Sequence, residues 1–429
     1  MKFNQWTLGL AAVGVISLAS AVQAEEAQHQ VMTALSSTTL SGYVDTSASW
    51  WFGNQNPTGG AAGGMLPGRA FDGANRQDGF NLDVVKVQLS KPLDEGQWSA
   101  GYNVGLLFGP DANLLNTSST LFGNTSDFAI ENANVVVRAP VGNGLDITMG
   151  VFNSPIGYES FDAVDDPNFS RSLGYQLEPT VLTGVMASYR FNDILSVKGG
   201  VADNASTVGT VTGNVINQRS NLESLKTYFG EFSLTAPDSM GFLKGAALYG
   251  GIIDNGMSSF DYVTRWAPRN AAAPTAANNV NPINFYAGAT VPTPLTGLTL
   301  GAAYDYRASG LYNYSYENDI AGYLVYQCTE KLKLADRVEY ATGSAGAWTV
   351  LPPGYGGLPA QPGSATDNVR IFSNTATVDY SLWANVITRA EVRWDHSLTG
   401  QNIYGAPNAF GGANERNALT LALNVIYKF

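Results

Sequence analysis

From Ala418 to the last residue the chain alternates without a break. Leu419, Leu421, Leu423, Val425, Tyr427 and Phe429 fall on one face of a strand, and Ala418, Thr420, Ala422, Asn424, Ile426 and Lys428 on the other. A period of two marks a strand lying between two unlike environments. One face is continuous grease. The other is mostly small or polar, which suits a wet interior better than a dry core. The same alternation returns over residues 38–52, 79–91, 98–106, 127–138, 144–152, 180–191, 194–203, 224–236, 242–253, 283–291, 297–307, 319–329, 331–341, 369–380, 386–395 and 416–429. Each segment is near the ~10 residues a tilted strand needs to cross a bilayer.

The connections sort into two kinds. Short turns at Pro92–Gly96, Pro140–Gly144, Asn192–Asp193, Pro237–Gly241, Val291–Gly297, Thr329–Lys331 and Ser381–Asn385 alternate with long polar loops. Short turns on one rim and long loops on the other describe an outer-membrane barrel, and the count gives about sixteen strands with both termini on the short-turn, periplasmic side. The fold class predicted is therefore all-β: a transmembrane antiparallel up-and-down β-barrel with short periplasmic turns and long extracellular loops. A closed barrel is also the one β arrangement that leaves no backbone group unpaired in hydrocarbon. A β-sandwich would lack the two-sided asymmetry of connections, and a β-solenoid would repeat at a shorter, fixed period. Aromatics near predicted strand ends, namely Tyr189, Phe191, Tyr304, Tyr306, Trp394, Tyr427 and Phe429, sit where amphipathic rings favour the headgroup region.

The N-terminus addresses the compartment. Lys2 precedes an apolar run from about Leu8 to Val22, and Val22-Gln23-Ala24 ends on a residue small enough for signal peptidase, so residues 1–24 are expected to be a signal peptide. That leaves a short periplasmic segment, 25–37, and the barrel, 38–429. The apolar run is short for a membrane span and contains Gly9, Gly14, Ser17 and Ser20. With 45% hydrophobic and only 14% charged residues, 47 glycines and 21 tyrosines, the chain reads as a secreted β protein or a membrane barrel. Its net charge of -12 becomes -13 once Lys2 leaves with the signal, since residues 1–24 hold no Asp or Glu, and an acidic surface argues against nucleic acid as a partner. The single cysteine, Cys328, excludes an intramolecular disulfide and a Cys-based metal cage. No cofactor is called for.

Four short stretches carry a family resemblance: Ser41-Gly42-Tyr43-Val44-Asp45-Thr46, Gly157-Tyr158-Glu159, Asn168-Phe169-Ser170-Arg171-Ser172 and Thr183-Gly184-Val185. With these the mature chain resembles β-barrel porin family 2, the OmpL-like outer-membrane porins. The resemblance implies a passive channel in the bacterial outer membrane and names no solute. The aromatic-ended last strand resembles the C-terminal signal by which such barrels are recognised, which makes the barrel assembly machinery an expected partner through Phe429.

The inside decides whether a barrel conducts. The fifteenth strand alternates Val386, Thr388, Ala390, Val392 and Trp394 toward lipid with Ile387, Arg389, Glu391, Arg393 and Asp395 toward the lumen. Further inward charges are Arg138, Lys198, Asp305, Arg307, Arg337 and Glu339, beside Asn132 and Asn134. A charge facing lipid at mid-depth would cost roughly 2–4 kcal/mol, so inward placement is forced. The reading is a charged, water-filled pore wall, because a sixteen-strand barrel is too wide for its own side chains to fill. The alternative is that these charges pair and fill the barrel.

The third long loop, 153–179, is the expected constriction. Pro155 and Pro167 stiffen it, Glu159, Asp162, Asp165 and Asp166 make it acidic beside Arg171, and Phe161 and Phe169 offer anchors to the wall. Acids facing basic wall residues would set a transverse field across a narrow aperture. Against this stands a solvated surface loop whose acids are merely polar or bind a structural Ca²⁺. The function expected is passive diffusion of small hydrophilic solutes or ions. The alternatives are a plugged, loop-displaying adhesin or structural barrel, and an outer-membrane hydrolase. For the hydrolase the only candidates are His396, between Asp395 and Ser397, and His29 in the leader; adjacent strand residues point to opposite faces and cannot form a relay. Sixteen-strand barrels are commonly homotrimers, and no decisive interface patch stands out.

Overall fold

The computed structural model describes residues 37–52, 69–72, 78–115, 127–207, 216, 226–255, 283–308, 316–344, 368–400, 402–404 and 415–429. Residues 1–24, the expected signal segment, and residues 25–36 with His29 lie outside the described residues. Sixteen strands run in chain order: β1 (Thr39–Phe52), β2 (Gly79–Lys91), β3 (Ser99–Phe108), β4 (Phe128–Ala139), β5 (Leu145–Asn153), β6 (Pro179–Arg190), β7 (Leu195–Thr207), β8 (Thr227–Thr235), β9 (Ala247–Asp254), β10 (Ile283–Pro292), β11 (Leu298–Ala308), β12 (Tyr316–Gln327), β13 (Leu332–Gly343), β14 (Val369–Trp383), β15 (Val386–Ser397) and β16 (Asn417–Lys428). Each pairs antiparallel with its chain neighbours, and β1 pairs with β16, so the barrel is closed. No strand edge is left to the hydrocarbon.

Alternation sorts the side chains as read. On β16, Leu419, Leu423, Val425 and Tyr427 are exposed while Ala418, Thr420, Ala422, Asn424 and Ile426 are buried. Two aromatic levels bound the outer face: Leu332 lies opposite Tyr380, and Tyr340 opposite Phe372. Eight residues separate the two levels on β14. At ~3.3 Å per residue and a tilt near ~40° they stand roughly 20 Å apart along the axis, close to the hydrophobic band of such barrels.

Closure uses the C-terminus itself. Phe429 N–H donates to Gly42 O at 2.9 Å and accepts from Gly42 N–H on its own carbonyl at 2.9 Å. The Phe429 ring then lies over Gly42, where a Cβ would stand 2.7 Å from ring atom Cζ and 2.1 Å from Lys86 O. Only glycine fits that seat.

Bulges re-aim acids. The register skips five residues, Asp83 in β2, Glu131 in β4, Thr180 in β6, Asp203 in β7 and Leu382 in β14, and three of them are acidic. Asp83 takes the Ser47 hydroxyl at 3.1 Å, Glu131 pairs with Lys86 at 2.6 Å, and Asp203 with Lys226 at 2.5 Å. A bulge turns one side chain off the alternating pattern, which is how these carboxylates reach their partners.

The largest boundary departure from expectation is at strand nine. Strand nine begins at Ala247 rather than near 242, because Asp238–Leu243 forms short helical turns broken at Gly241 (φ 61). The apolar residues Met240 and Phe242 imitate a strand start but lie exposed on this turn.

Candidate functional site: a loop hung across the barrel

Residues 154–178, between β5 and β6, run through the inside of the barrel and bond to strands far around its circumference. Glycines make room at the entry. Ile156 sits where a Cβ on Gly251 of β9 would be 2.4 Å away, and Tyr158 stacks on Tyr323 of β12 with ring centroids 4.2 Å apart. Asp162 accepts from the Tyr43 hydroxyl of β1 at 2.7 Å and from the Lys86 ammonium of β2.

On the other side, strands β13 to β15 hold the loop's backbone. The Phe169 and Ser170 N–H groups donate to Glu391 at 2.6 and 3.0 Å, and the Leu173 N–H donates to Glu339 at 2.6 Å. Arg389 donates to the carbonyls of Ala163 at 2.6 Å and Asp166 at 3.0 Å. Arg337 donates to Glu159 at 2.7 Å, to Ser170 O at 2.6 Å and to Arg171 O at 3.0 Å. Asn168 reaches the Thr377 hydroxyl at 2.7 Å, and Asn284 of β10 reaches Leu177 O at 2.6 Å. An irregular loop inside a barrel has no ladder to satisfy it, so wall side chains must do so.

Arg171 works inward on the loop itself. It donates to the carbonyls of Ser160 at 2.8 Å and Phe169 at 2.7 Å, and pairs with Asp166 at 2.9 Å. Its guanidinium also lies 4.8 Å from the Phe71 ring centroid. Glu159 and Asp166 are buried, whereas Asp165 is exposed at its own surface yet enclosed on most sides by protein. Desolvation first, then Asp162, pushes the Asp165 carboxyl up to about 6.

An acidic group closes the loop's far end. Asp305 and Asp319 are direct cross-strand partners on β11 and β12, a like-charge juxtaposition that is destabilising unless offset. Gly174 N–H donates to Asp319 at 3.1 Å, and Glu178 hydrogen-bonds Asp305. Burial, then the Asp305 charge, holds the Glu178 carboxyl well above the usual range. Among the described residues no group of three His, Cys, Asp or Glu side chains is arranged to hold a metal ion.

All the wall residues read from the sequence point inward, in two environments. Arg307, Arg337, Glu339, Arg393 and Asp395 are at most 2% exposed, and Asp305, Arg389 and Glu391 at most 4%. Four consecutive inward charges on β15 were expected to need water; loop backbone and opposite charges surround them instead. Arg138, paired with Asp146 at 2.6 Å, and Lys198, paired with Glu231 at 2.8 Å, keep partial exposure nearer the short-turn rim. The sequence reading missed Arg69, Phe71 and Asp72, which lie in a Gly-rich loop with no periodicity to mark them.

The family match spans the barrel and this loop. The profile described as "Putative beta-barrel porin-2, OmpL-like" matches residues 37–429. The chain belongs to this porin family. Solved structures share the barrel at low identity. The anion-selective porin from Comamonas acidovorans is 10% identical, with 92% of this chain and 99% of that one covered at a TM-score of 0.55. OmpF of Salmonella typhi, solved with daunomycin, is 12% identical over 91% and 97% of the two chains at 0.54. OprB of Pseudomonas putida is 12% identical over 93% and 96% at 0.54. Likeness at such identity concerns the fold. No curated protein matches the sequence. The porin is thus an outer-membrane β-barrel.

Proposed function

We propose that this porin is a passive channel for small hydrophilic solutes or ions, with the loop 154–178 as its constriction. The observation that carries the reading is the loop's suspension: it leaves the wall at β5 and is bonded to β1 and β2 on one side and to β10 and β12–β15 on the other. A loop so hung narrows the lumen at that level. Of its five carboxylates, Glu159, Asp162 and Asp166 act as anchors, Glu178 is buried against Asp305, and Asp165 is the one left to act on passing ions through local potential. Weak cation preference follows.

A plugged barrel is the second reading, favoured by the dryness of the paired arginines. Single-channel conductance of the purified protein in planar bilayers, with reversal potentials in a salt gradient, separates the two. Steady ohmic openings support the channel, and their absence at all voltages supports the plug. A hydrolase gains nothing from the geometry. His396 Nδ1 meets Asn417 at 2.8 Å on the outer face, whereas Asp395 and Ser397 are buried inside. The same reading takes residues 1–24 as the export signal, Phe429 as the handle for the barrel assembly machinery, lipid as the outer partner and a homotrimer as the assembly.

A further inference from the structure

We propose that residues 69–72, in the first long loop, are a latch that positions the constriction loop, with Arg69 as its positioning residue; the inference rests on the channel reading above. Arg69 is 1% exposed and joins four elements at once. Its Nη1 donates to Arg171 O of the constriction loop at 2.8 Å and to Glu339 of β13 at 3.1 Å. Its Nη2 donates to the Ser373 hydroxyl of β14 at 2.7 Å and to Asp395 of β15 at 2.8 Å. A planar fork can serve carbonyl and carboxylates together, which a lysine ammonium in the same place cannot.

Two independent features tie the segment down. Asp72 pairs with Arg393 at 2.5 Å, so the latch is held to β15 at both ends. Phe71 adopts φ 68, a left-handed conformation that costs a non-glycine residue energy and persists only where the surroundings impose it. Here they do: its ring meets Phe161 edge-on at 5.3 Å and Tyr175 at 6.2 Å, beside the Arg171 guanidinium. Phe161, Arg171 and Tyr175 all belong to the constriction loop. The latch therefore presses on the loop's lid side with a ring while its arginine ties the loop's backbone to three strands.

Charge gives the latch a second effect. Glu339 is neutralised by Arg69 and Arg337, and Asp395 by Arg69 and Arg393. Removing Arg69 leaves each carboxylate one cationic partner, so the loop is loosened rather than released, and the wall behind it gains one net negative charge.

The test uses the full-length porin in planar bilayers, with heat-modifiable migration as the control for folding. In Arg69→Ala, open-state current fluctuations become several-fold more frequent and the reversal potential moves toward that of a cation channel. Arg69→Lys restores the charge and the wild-type reversal potential, yet keeps the fluctuations, because it lacks the fork. A folded Arg69→Ala channel with wild-type noise and reversal potential overturns the latch. Should that variant fail to fold, Asp72→Asn, which weakens only the Arg393 tie, must raise the fluctuations, and a silent Asp72→Asn overturns the inference equally. A wild-type barrel that never conducts defeats the channel reading; in that case conduction appearing in Arg69→Ala supports the latch, and continued silence overturns it.

Discussion

Arg337→Met removes the wall's most connected cation. Arg337 is fully buried and bonds Glu159, Glu339, Ser170 and Arg171 of four surrounding positions at 2.6–3.0 Å. Breaking one side of a buried ion network costs about 3–5 kcal/mol, chiefly through the charge left behind. The residual partners here decide the figure. Glu159 keeps the Ser172 N–H at 2.5 Å and the Tyr323 hydroxyl at 3.2 Å, and Glu339 keeps Arg69 at 3.1 Å and the Leu173 N–H at 2.6 Å. Ser170 O, accepting from Arg337 at 2.6 Å, is the group stripped most completely. The lower end applies, about 3 kcal/mol. Because the strand ladder does not depend on this residue, the cost falls on the seating of the loop, and its seated-to-unseated ratio drops roughly a hundredfold.

Single-channel recording reads that ratio as frequent transitions to a larger conductance, while heat-modifiable migration stays as in the wild type. The double variant Glu159→Gln/Arg337→Met removes both charges of one pair. It should lose less than the sum of the single variants, with coupling of about 1–3 kcal/mol as for residues in contact. Open-state noise and thermal midpoint unchanged in Arg337→Met would show that the loop is seated by something other than this network.

Four further outcomes are expected. Asp165→Asn lowers cation preference at pH 7 without added noise; in the wild type, preference falls as pH is lowered through about 6, since a carboxyl held above its ordinary value is charged only above that pH, and a flat pH profile of the reversal potential refutes the role. Leu423→Arg puts charge on the lipid face at a cost of roughly 2–4 kcal/mol and reduces assembly, whereas Lys198→Gln, at a partly exposed inward site, assembles normally; equal folding yields would overturn the register. Gly42→Val pushes a side chain into Lys86 O and the Phe429 ring and lowers the yield of heat-modifiable barrel, measured against Gly230→Val, where the nearest atom to a Cβ is 3.9 Å away. Epitope tags near Gly60, Asn214 or Gly356, positions outside the described residues, are reached by antibody on intact cells and a tag at Asp193 is not; labelling at Asp193 alone inverts the topology.

Much of this barrel was legible because a strand between water and lipid leaves a period-two trace that no competing fold produces over the whole chain. The trace failed where a turn was apolar, at Met240 and Phe242, and it was silent at the bulges, since Asp83, Glu131 and Asp203 read only as interruptions. In the site, the loop residues of the stretches that carried the family resemblance bond: Glu159, Asn168, Phe169, Ser170 and Arg171 each meet the wall or the latch, as do Asp162, Leu173 and Gly174 outside them. Their partners could be placed on the inward face and no further. Arg69 left no trace at all, because an arginine in an aperiodic glycine-rich loop is indistinguishable from a solvated one until the loop's path is known.

That path also explains why the inward charges on β11, β13 and β15 are buried. A wall of unpaired arginines and carboxylates would have to draw water deep into the barrel, whereas an irregular loop arrives with unmet N–H and C=O groups of its own. The two needs match in detail: Glu391 and Glu339 accept the loop's N–H groups, and Arg389, Arg337 and Arg69 donate to its carbonyls. Charge-assisted bonds of this kind are about twice as strong as neutral ones, and in an enclosed site an unmet partner is costly on either side. Seating of the loop and neutralisation of the wall are thus one event. A substitution that removes one of these arginine charges frees the loop and recharges the wall together, so conductance and ion preference should change together in Arg69→Ala; Arg69→Lys keeps the wall's charge and should move the fluctuations alone, and Asp165 should move ion preference alone.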